Sequence, residues 1–232
     1  MGIKYVITTV KGLYQEPLEH LLNSMIIHGI DSEDIFLSSQ DTSCIYTYID
    51  KIYLSKYDIN LYRVNIPKQI YEYSFFIACK ELLNAGLIKV TDYSLLIHDT
   101  AIIKPSHKSK ILDVLANCKT YDIIYANYTG QHNIGLYNYK AINLGYNIYK
   151  KHIHFNKNLA IDIEHNNAGP RFSIKQYNHK LNIFYPPIPW LEISNIKVYT
   201  KNIKRVVSTL EYFDIEKYYV HVENTFHPHN IF

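Results

Sequence analysis

The 232-residue sequence contains little cysteine, tryptophan, methionine or glycine, with 3, 1, 2 and 8 residues of each. Its cysteines (Cys44, Cys79 and Cys118) are odd in number and show no Cys-x-x-Cys spacing, which argues against a disulfide framework and a zinc knuckle. We therefore expect a reducing, cytoplasmic environment. No apolar run has the length of a bilayer span or follows a basic start as in a secretory leader, so we expect no membrane span.

Two glycine motifs that bind phosphates are also missing. The sequence has neither GxGxxG nor GxxxxGK[ST], which counts against a dinucleotide-binding enzyme and a P-loop phosphotransferase. The net charge is only +3 and the lysines are scattered, so we expect no nucleic-acid partner. The most basic segment, 197–205, is followed closely by Glu211, Asp214 and Glu216. This mixture favours a solvated helix face over a non-catalytic nucleic-acid-binding module.

Strand and helix patterns alternate through the first half of the chain, which has the length of a single domain over 1–232. A β-branched run at 4–10 predicts a buried first strand, and Glu16-Pro17 followed by apolar residues at helical spacing predicts a helix ending at Gly29. Further strands are predicted at 35–38, 60–65, 93–100 and 121–128, and further helices at 45–53, 70–85, 106–118 and 198–213. Beyond 128 the alternation becomes irregular.

The strand at 93–100 ends on His98-Asp99-Thr100, and ligands of open α/β sheets gather beyond the carboxyl ends of strands. This layout resembles a glycosyltransferase of the GT-A type, in which such a strand ends on an Asp-x-Asp or related acidic motif. The resemblance implies that Asp99 holds a divalent cation, Mn²⁺ or Mg²⁺, against the donor diphosphate. His98 stands where the first acid of that motif often lies. The alternative for Asp99 is a cap on the following turn.

The same resemblance implies a donor-binding set at the ends of earlier strands. Thr8, Thr9 and Lys11 follow the first strand in the region that touches the nucleotide, and Asp41 matches an acid that contacts the base or ribose. His98 completes the donor set. Taken singly, a Thr-Thr pair is also ordinary strand chemistry, and Asp41 with its neighbouring hydroxyls is also a good cap.

The second half contains the candidates for acceptor binding and catalysis. The segment 130–137 resembles an acceptor-side loop, with His132, Asn133 and Tyr137 beside the acceptor. Asp162 and Glu164 share one face of an extended segment, and either carboxylate could take the proton of an acceptor hydroxyl. The alternative for this pair is a solvated strand edge or helix start.

Two histidine pairs, His152-x-His154 and His227-x-His229, have the spacing of metal ligands, which leaves a metal-dependent hydrolase as a rival. Within the glycosyltransferase resemblance, His227 and His229 would instead complete the metal site from the C-terminal end.

The sequence thus predicts an α/β, GT-A-like (Rossmann-like) fold: a mostly parallel sheet flanked by helices, with an irregular C-terminal acceptor-binding portion. Residues 1–105 would form the nucleotide-binding half and 106–232 the acceptor-binding half. The expected activity is glycosyl transfer from a nucleotide-sugar donor to a glycan or other hydroxyl acceptor. The alternatives are the histidine-based hydrolase and a non-catalytic sugar- or nucleic-acid-binding module.

Overall fold

A computed structural model describes residues 2–12, 15–67, 70, 73–126, 134–151, 181–187 and 203–220. Within these ranges the α-helices are α1 (Gln15–Ile27), α2 (Tyr73–Asn84), α3 (His107–Cys118) and α4 (Tyr139–Lys151), and Ser32–Asp34 forms a short 3-10 helix. The strands are β1 (Ile3–Val10), β2 (Ile35–Gln40), β3 (Tyr48–Leu54), β4 (Ile59–Ile66), β5 (Tyr93–His98), β6 (Ala101–Ile103), β7 (Ile123–Tyr125), β8 (Gly135–Tyr137), β9 (Ile183–Phe184), β10 (Ile203–Leu210) and β11 (Ile215–Val220).

Eight of these strands form one sheet in the order β3-β4-β2-β1-β5-β8-β7-β9. The four strands β4, β2, β1 and β5 are neighbours and run parallel, while β3 and β8 pair antiparallel with them. A second sheet of three strands has the order β10-β11-β6. Because β6 begins three residues after β5 ends, the chain passes from the large sheet to the small one almost without a connection.

Each face of the large sheet covers its own hydrophobic core because successive strand side chains point to opposite faces. On one face, Tyr5 and Ile7 of β1 pack with residues of α1 and α3. On the other face, Val6 of β1 packs with residues of α2 and α4. The expected α/β class, a mostly parallel sheet flanked by helices, is therefore confirmed.

Proline and glycine residues in the sequence predicted the ends of two helices correctly. Helix α1 carries Pro17 near its start and ends shortly before Gly29, which has a φ of +74° that favours glycine. Helix α2 ends before Gly86, whose φ is +71° and whose N–H donates to the Leu83 carbonyl at 3.1 Å. Among the helices that the structure describes, none is long and apolar enough to cross a membrane.

The helix expected at 45–53 is wrong, because this segment forms the edge strand β3. It folds back on β4 through a turn at 55–58 in which Asp58 has a φ of +53°. Asp50 and Arg63 face each other across this hairpin and form two hydrogen bonds, at 2.6 and 3.1 Å. Strand pairing with an opposite-charge pair thus overrides apolar spacing that also fits a helix turn.

The final helix expected at 198–213 is also wrong. Residues 203–210 form β10, and a turn containing Asp214 (φ +52°) leads into β11, which pairs antiparallel with β10. The supposedly irregular second half contains α4 as a regular helix of 13 residues. It also shares both sheets with the first half, since β5 pairs with β8 and β6 pairs with β11.

Helices α2 and α4 approach closely at Gly145. A Cβ atom added there would lie 2.4 Å from two ring carbons of Phe76, whose side chain is fully buried. Ordinarily a glycine-to-alanine change in a helix favours folding by about 1 kcal/mol. Here overpacking against a fixed aromatic ring should dominate.

We therefore expect Gly145→Ala to lower the free energy of unfolding by about 1–3 kcal/mol. Asn147→Ala, at an exposed position of the same helix, is the matched control and should change it by no more than about 0.5 kcal/mol. Urea denaturation of both variants measures the difference. A more stable Gly145→Ala protein would contradict this account of the α2–α4 contact.

Candidate functional site

The parallel strands β4, β2, β1 and β5 all end at the same edge of the large sheet. Strands β2 and β4 follow one another on one side of β1, and β5, the next parallel strand along the chain, lies on the other side of β1. Such a reversal opens a crevice between the carboxyl ends of the two strands that flank it. In this structure those strands are β1 and β5, which end on Thr8-Thr9-Val10 and on His98.

At the end of β1 and β2, Lys11 and Asp41 form an ion pair that closes the edge of the sheet. The Lys11 ammonium donates to Asp41 Oδ2 at 2.6 Å, while the backbone N–H and the hydroxyl of Ser43 donate to Asp41 Oδ1 at 2.9 and 2.6 Å. These hydrogen bonds, the one from Lys11 first, lower the pKa of Asp41 to about 2. Asp41 is therefore a fixed carboxylate at neutral pH.

Polar residues beneath this ion pair hold the strand ends in place. The Gln40 side-chain carbonyl accepts the backbone N–H of Ile70 at 2.7 Å, which ties the end of β2 to the approach to α2. At the end of β4, the Asn65 amide donates to Asp50 at 3.0 Å. The Asn65 carbonyl oxygen is buried and has no hydrogen-bond partner among the described residues. This edge of the sheet is therefore polar, and hydrogen bonds of side chains hold it together.

Asp99 lies directly beyond β5, at the same edge of the sheet as the end of β1. Its N–H donates to the Thr8 carbonyl at 3.3 Å, and its side chain is 6% exposed. Burial raises the pKa of Asp99 from 3.8 to about 6, although the neighbouring Thr9 and Lys217 side chains lower it. Its Oδ2 atom accepts no hydrogen bond from the part of the chain that the structure describes. Asp99 therefore carries a buried oxygen with unused acceptor capacity beside Thr8 and Thr9.

Lys217 also belongs to this site, and the sequence interpretation missed it. Strand β11 pairs with β6 so that Lys217 stands opposite Ala101, two residues after Asp99. Its ammonium donates to the Thr100 hydroxyl, and its side chain is only 9% exposed. The signal that was available is the β-type composition of 215–220 after the turn at Asp214. The expected helix over 198–213 obscured it.

A divalent cation fits the described part of this site poorly. Asp99 offers one suitable oxygen, but no three histidine, cysteine, aspartate or glutamate side chains come together within the described ranges. The Lys217 ammonium, close enough to Asp99 to favour its ionised form, would repel a divalent cation bound there. The metal at Asp99 remains an untested prediction from the sequence.

Of the donor residues predicted from the sequence, the structure brings Thr8, Thr9, Lys11, Asp41 and His98 to one sheet edge. Thr8 pairs with His98 across the β1–β5 ladder, and Thr8 and Thr9 are each 7% exposed. This places the five residues together without testing their predicted roles.

Tyr137 lies elsewhere. It is 1% exposed in β8 and packs against Phe75, Phe76 and Tyr125 in the hydrophobic core. A side chain enclosed in this aromatic cluster leaves no surface for an acceptor to contact. The expectation that Tyr137 borders the acceptor is therefore corrected: it is a core residue.

The other candidates lie outside the described residues. They are the acceptor residues His132 and Asn133, the catalytic candidates Asp162 and Glu164, the metal candidates His227 and His229, and the histidine pair His152 and His154. Their roles stay predictions from the sequence.

Comparison with known proteins identifies no family. No protein-family profile matches the chain, and no curated protein matches it. Among solved structures, the crystal structure of S. aureus TarS 1–349 is similar to this chain, with a TM-score of 0.37 and 11% identity. The match covers 54% of this chain and 35% of that chain, so it spans about a third of the TarS fragment. A likeness this distant carries no argument about activity.

The buried Asp99 charge should make stability depend on pH in a defined direction. Because the pKa of Asp99 is raised on folding, its ionisation favours the unfolded state, and stability is lost as pH rises from about 4 through about 6. The change from 3.8 to about 6 corresponds to about 3 kcal/mol.

We expect Asp99→Asn, which removes this charge, to raise the free energy of unfolding at pH 7.5 by about 3 kcal/mol and to leave it nearly unchanged at pH 4. Urea denaturation at both pH values provides the measurement. Asp113→Asn, at an exposed position of α3, is the control and should show no such pH-dependent difference. A wild-type protein that exceeds Asp99→Asn in stability at pH 7.5 would refute the assignment.

Proposed function

We propose that the protein is a nucleotide-sugar-dependent glycosyltransferase that moves a sugar to a glycan or other hydroxyl acceptor. The observation that supports this most is the convergence of Thr8, Thr9 and Asp99 at the crevice between β1 and β5. A crevice at the point where strand order reverses is the usual ligand site of an open α/β sheet. The polar side chains at this edge suit a ligand with many oxygen atoms.

The charges at this edge agree with a nucleotide donor. The fixed Asp41 carboxylate could accept hydrogen bonds from a ribose or base, as the Lys11 ion pair holds it at the end of β2. On the Asp99 side, the Lys217 ammonium has three N–H donors, one of which meets Thr100, so it can also donate to phosphate oxygens. The proposal thus places the nucleoside toward β2 and the diphosphate toward β5.

In the proposed reaction, the bond between the anomeric carbon and the diphosphate oxygen breaks, and its electron pair leaves with the nucleoside diphosphate. The acceptor hydroxyl oxygen forms the new bond to the anomeric carbon. Its proton passes to a carboxylate base, for which Glu164 and Asp162 are the candidates from the sequence. Positive charge beside the leaving diphosphate lowers the barrier by stabilising the negative charge that develops there.

A thermal-shift panel with UDP, GDP, CMP, TDP and their sugar conjugates, with and without Mn²⁺, tests the proposal. A nucleotide at 100 times its Kd stabilises the native state by about 2.7 kcal/mol. For a chain of this length that raises Tm by roughly 5–10 °C. We expect one nucleotide class to give this rise and Asp99→Ala, with unchanged far-ultraviolet circular dichroism, to lose it.

Asp113→Ala is the matched control for the panel, since it removes an exposed carboxylate from α3 and should keep the full shift. The proposal fails if none of the nucleotides changes Tm. A rise with Zn²⁺ alone, and with no nucleotide, would favour the histidine-based hydrolase instead.

A further inference from the structure

Strand β11 carries a positive charge into the crevice region from a distant part of the sequence. Lys217 lies 118 residues after Asp99, yet its pairing with Ala101 places it beside the Asp99-Thr100 corner. Its ammonium donates to the Thr100 hydroxyl and favours the ionised form of Asp99. The side chain is nearly excluded from solvent.

Several contacts fix the position of β11. The buried His107 ring meets the Phe213 carbonyl oxygen at 2.5 Å, at the turn that precedes β11. The Asp214 carboxylate accepts the N–H of Ser106 at 2.9 Å, and its carbonyl accepts the N–H of Lys104 at 3.0 Å. The start of α3 thus holds the β10–β11 turn, and the β6–β11 ladder then sets the position of Lys217.

The other described cations near this edge are engaged in ion pairs with carboxylates of the large sheet. Lys11 is held by Asp41 at 2.6 Å, and Arg63 is held by Asp50 at 2.6 Å. Both belong to the β2–β4 side of the crevice. On the Asp99 side, where the proposed function puts the diphosphate, Lys217 stands opposite Ala101, while Lys104 at the far end of β6 is held by Glu216.

We propose that the positive charge that meets the donor diphosphate at Asp99 is the Lys217 ammonium rather than a divalent cation. This inference rests on the proposed function and specifies how its site binds the leaving group. Lys217 acts as a binding residue: it stabilises the negative charge that the diphosphate gains when the bond to the sugar breaks, and it transfers no proton. Thr100 accepts a hydrogen bond from this ammonium, and Asp99 is the nearby counter-charge.

The test is the affinity of UDP, GDP, TDP and inorganic pyrophosphate for the full chain in EDTA, measured by calorimetry. We expect the wild-type protein to bind in EDTA and Lys217→Met to weaken binding by about 10- to 100-fold, because a charge-assisted hydrogen bond is lost. Lys217→Arg, which keeps the charge, should recover most of that loss. Lys104→Met is the matched control. It removes an ammonium that lies 3.3 Å from the Glu216 carboxylate, just after β6, and it should leave the affinity unchanged.

Circular dichroism and thermal melting establish that each variant is folded, and Lys217→Gln replaces Lys217→Met if the latter is not. Wild-type binding that is absent in EDTA and returns with Mn²⁺ would overturn the inference and leave the proposed function standing. Equal affinity of wild-type and Lys217→Met would overturn it as well.

Pyrophosphate separates the two proposals. Binding of pyrophosphate that depends on Lys217, without binding of any nucleotide, would support the anion site and refute the proposed function. Absence of binding for all four probes, with and without Mn²⁺, would overturn both.

Discussion

The candidate site depends on the parallel pairing of β1 with both of its neighbours. Because β2 and β5 run in the same direction as β1, all three strands deliver their carboxyl ends to one edge of the sheet. The residues that follow them therefore lie along one edge, although Asp41 and Asp99 are 58 positions apart in the sequence. Such strands are buried on both faces and mostly apolar, so the charged side chains of the candidate site lie just beyond their ends.

Asp99 shows what this arrangement costs. A carboxylate placed in a nearly closed environment loses hydration, and its raised pKa records that loss. An uncharged isostere of the carboxylate would avoid this desolvation cost at neutral pH. The presence of a charge there, with an oxygen that the described residues leave without a hydrogen bond, is the kind of local cost that proteins carry at functional sites.

The sequence predicted the parts of the fold that local patterns determine. The β-branched run of β1, the proline at the start of α1 and Gly86 after α2 each act within a few residues, so composition reveals them. The polar ends of β1, β2 and β5 were predicted for the same reason. Apolar spacing over a short segment is ambiguous, however, and both β3 and β10 were taken for helices where pairing with a neighbouring strand decides the structure.

Non-local pairing also explains the two errors at the site itself. Tyr137 follows a glycine-rich segment typical of a loop, but its place in the core comes from aromatic partners in α2 and β7. Lys217 is unremarkable among 24 lysines and arginines until β11 is paired with β6. Neither contact can be read from neighbouring residues.

The register of the short ladder between β6 and β11 determines which charge lies beside Asp99. Glu216 and Lys217 are adjacent on β11 and point to opposite faces, and Glu216 meets Lys104 instead of Asp99. A slip of one residue would exchange the two faces and place a carboxylate where the ammonium now stands. The three paired positions between β6 and β11 therefore determine the sign of the charge beside Asp99, and attraction for an anion would become repulsion without any change of sequence.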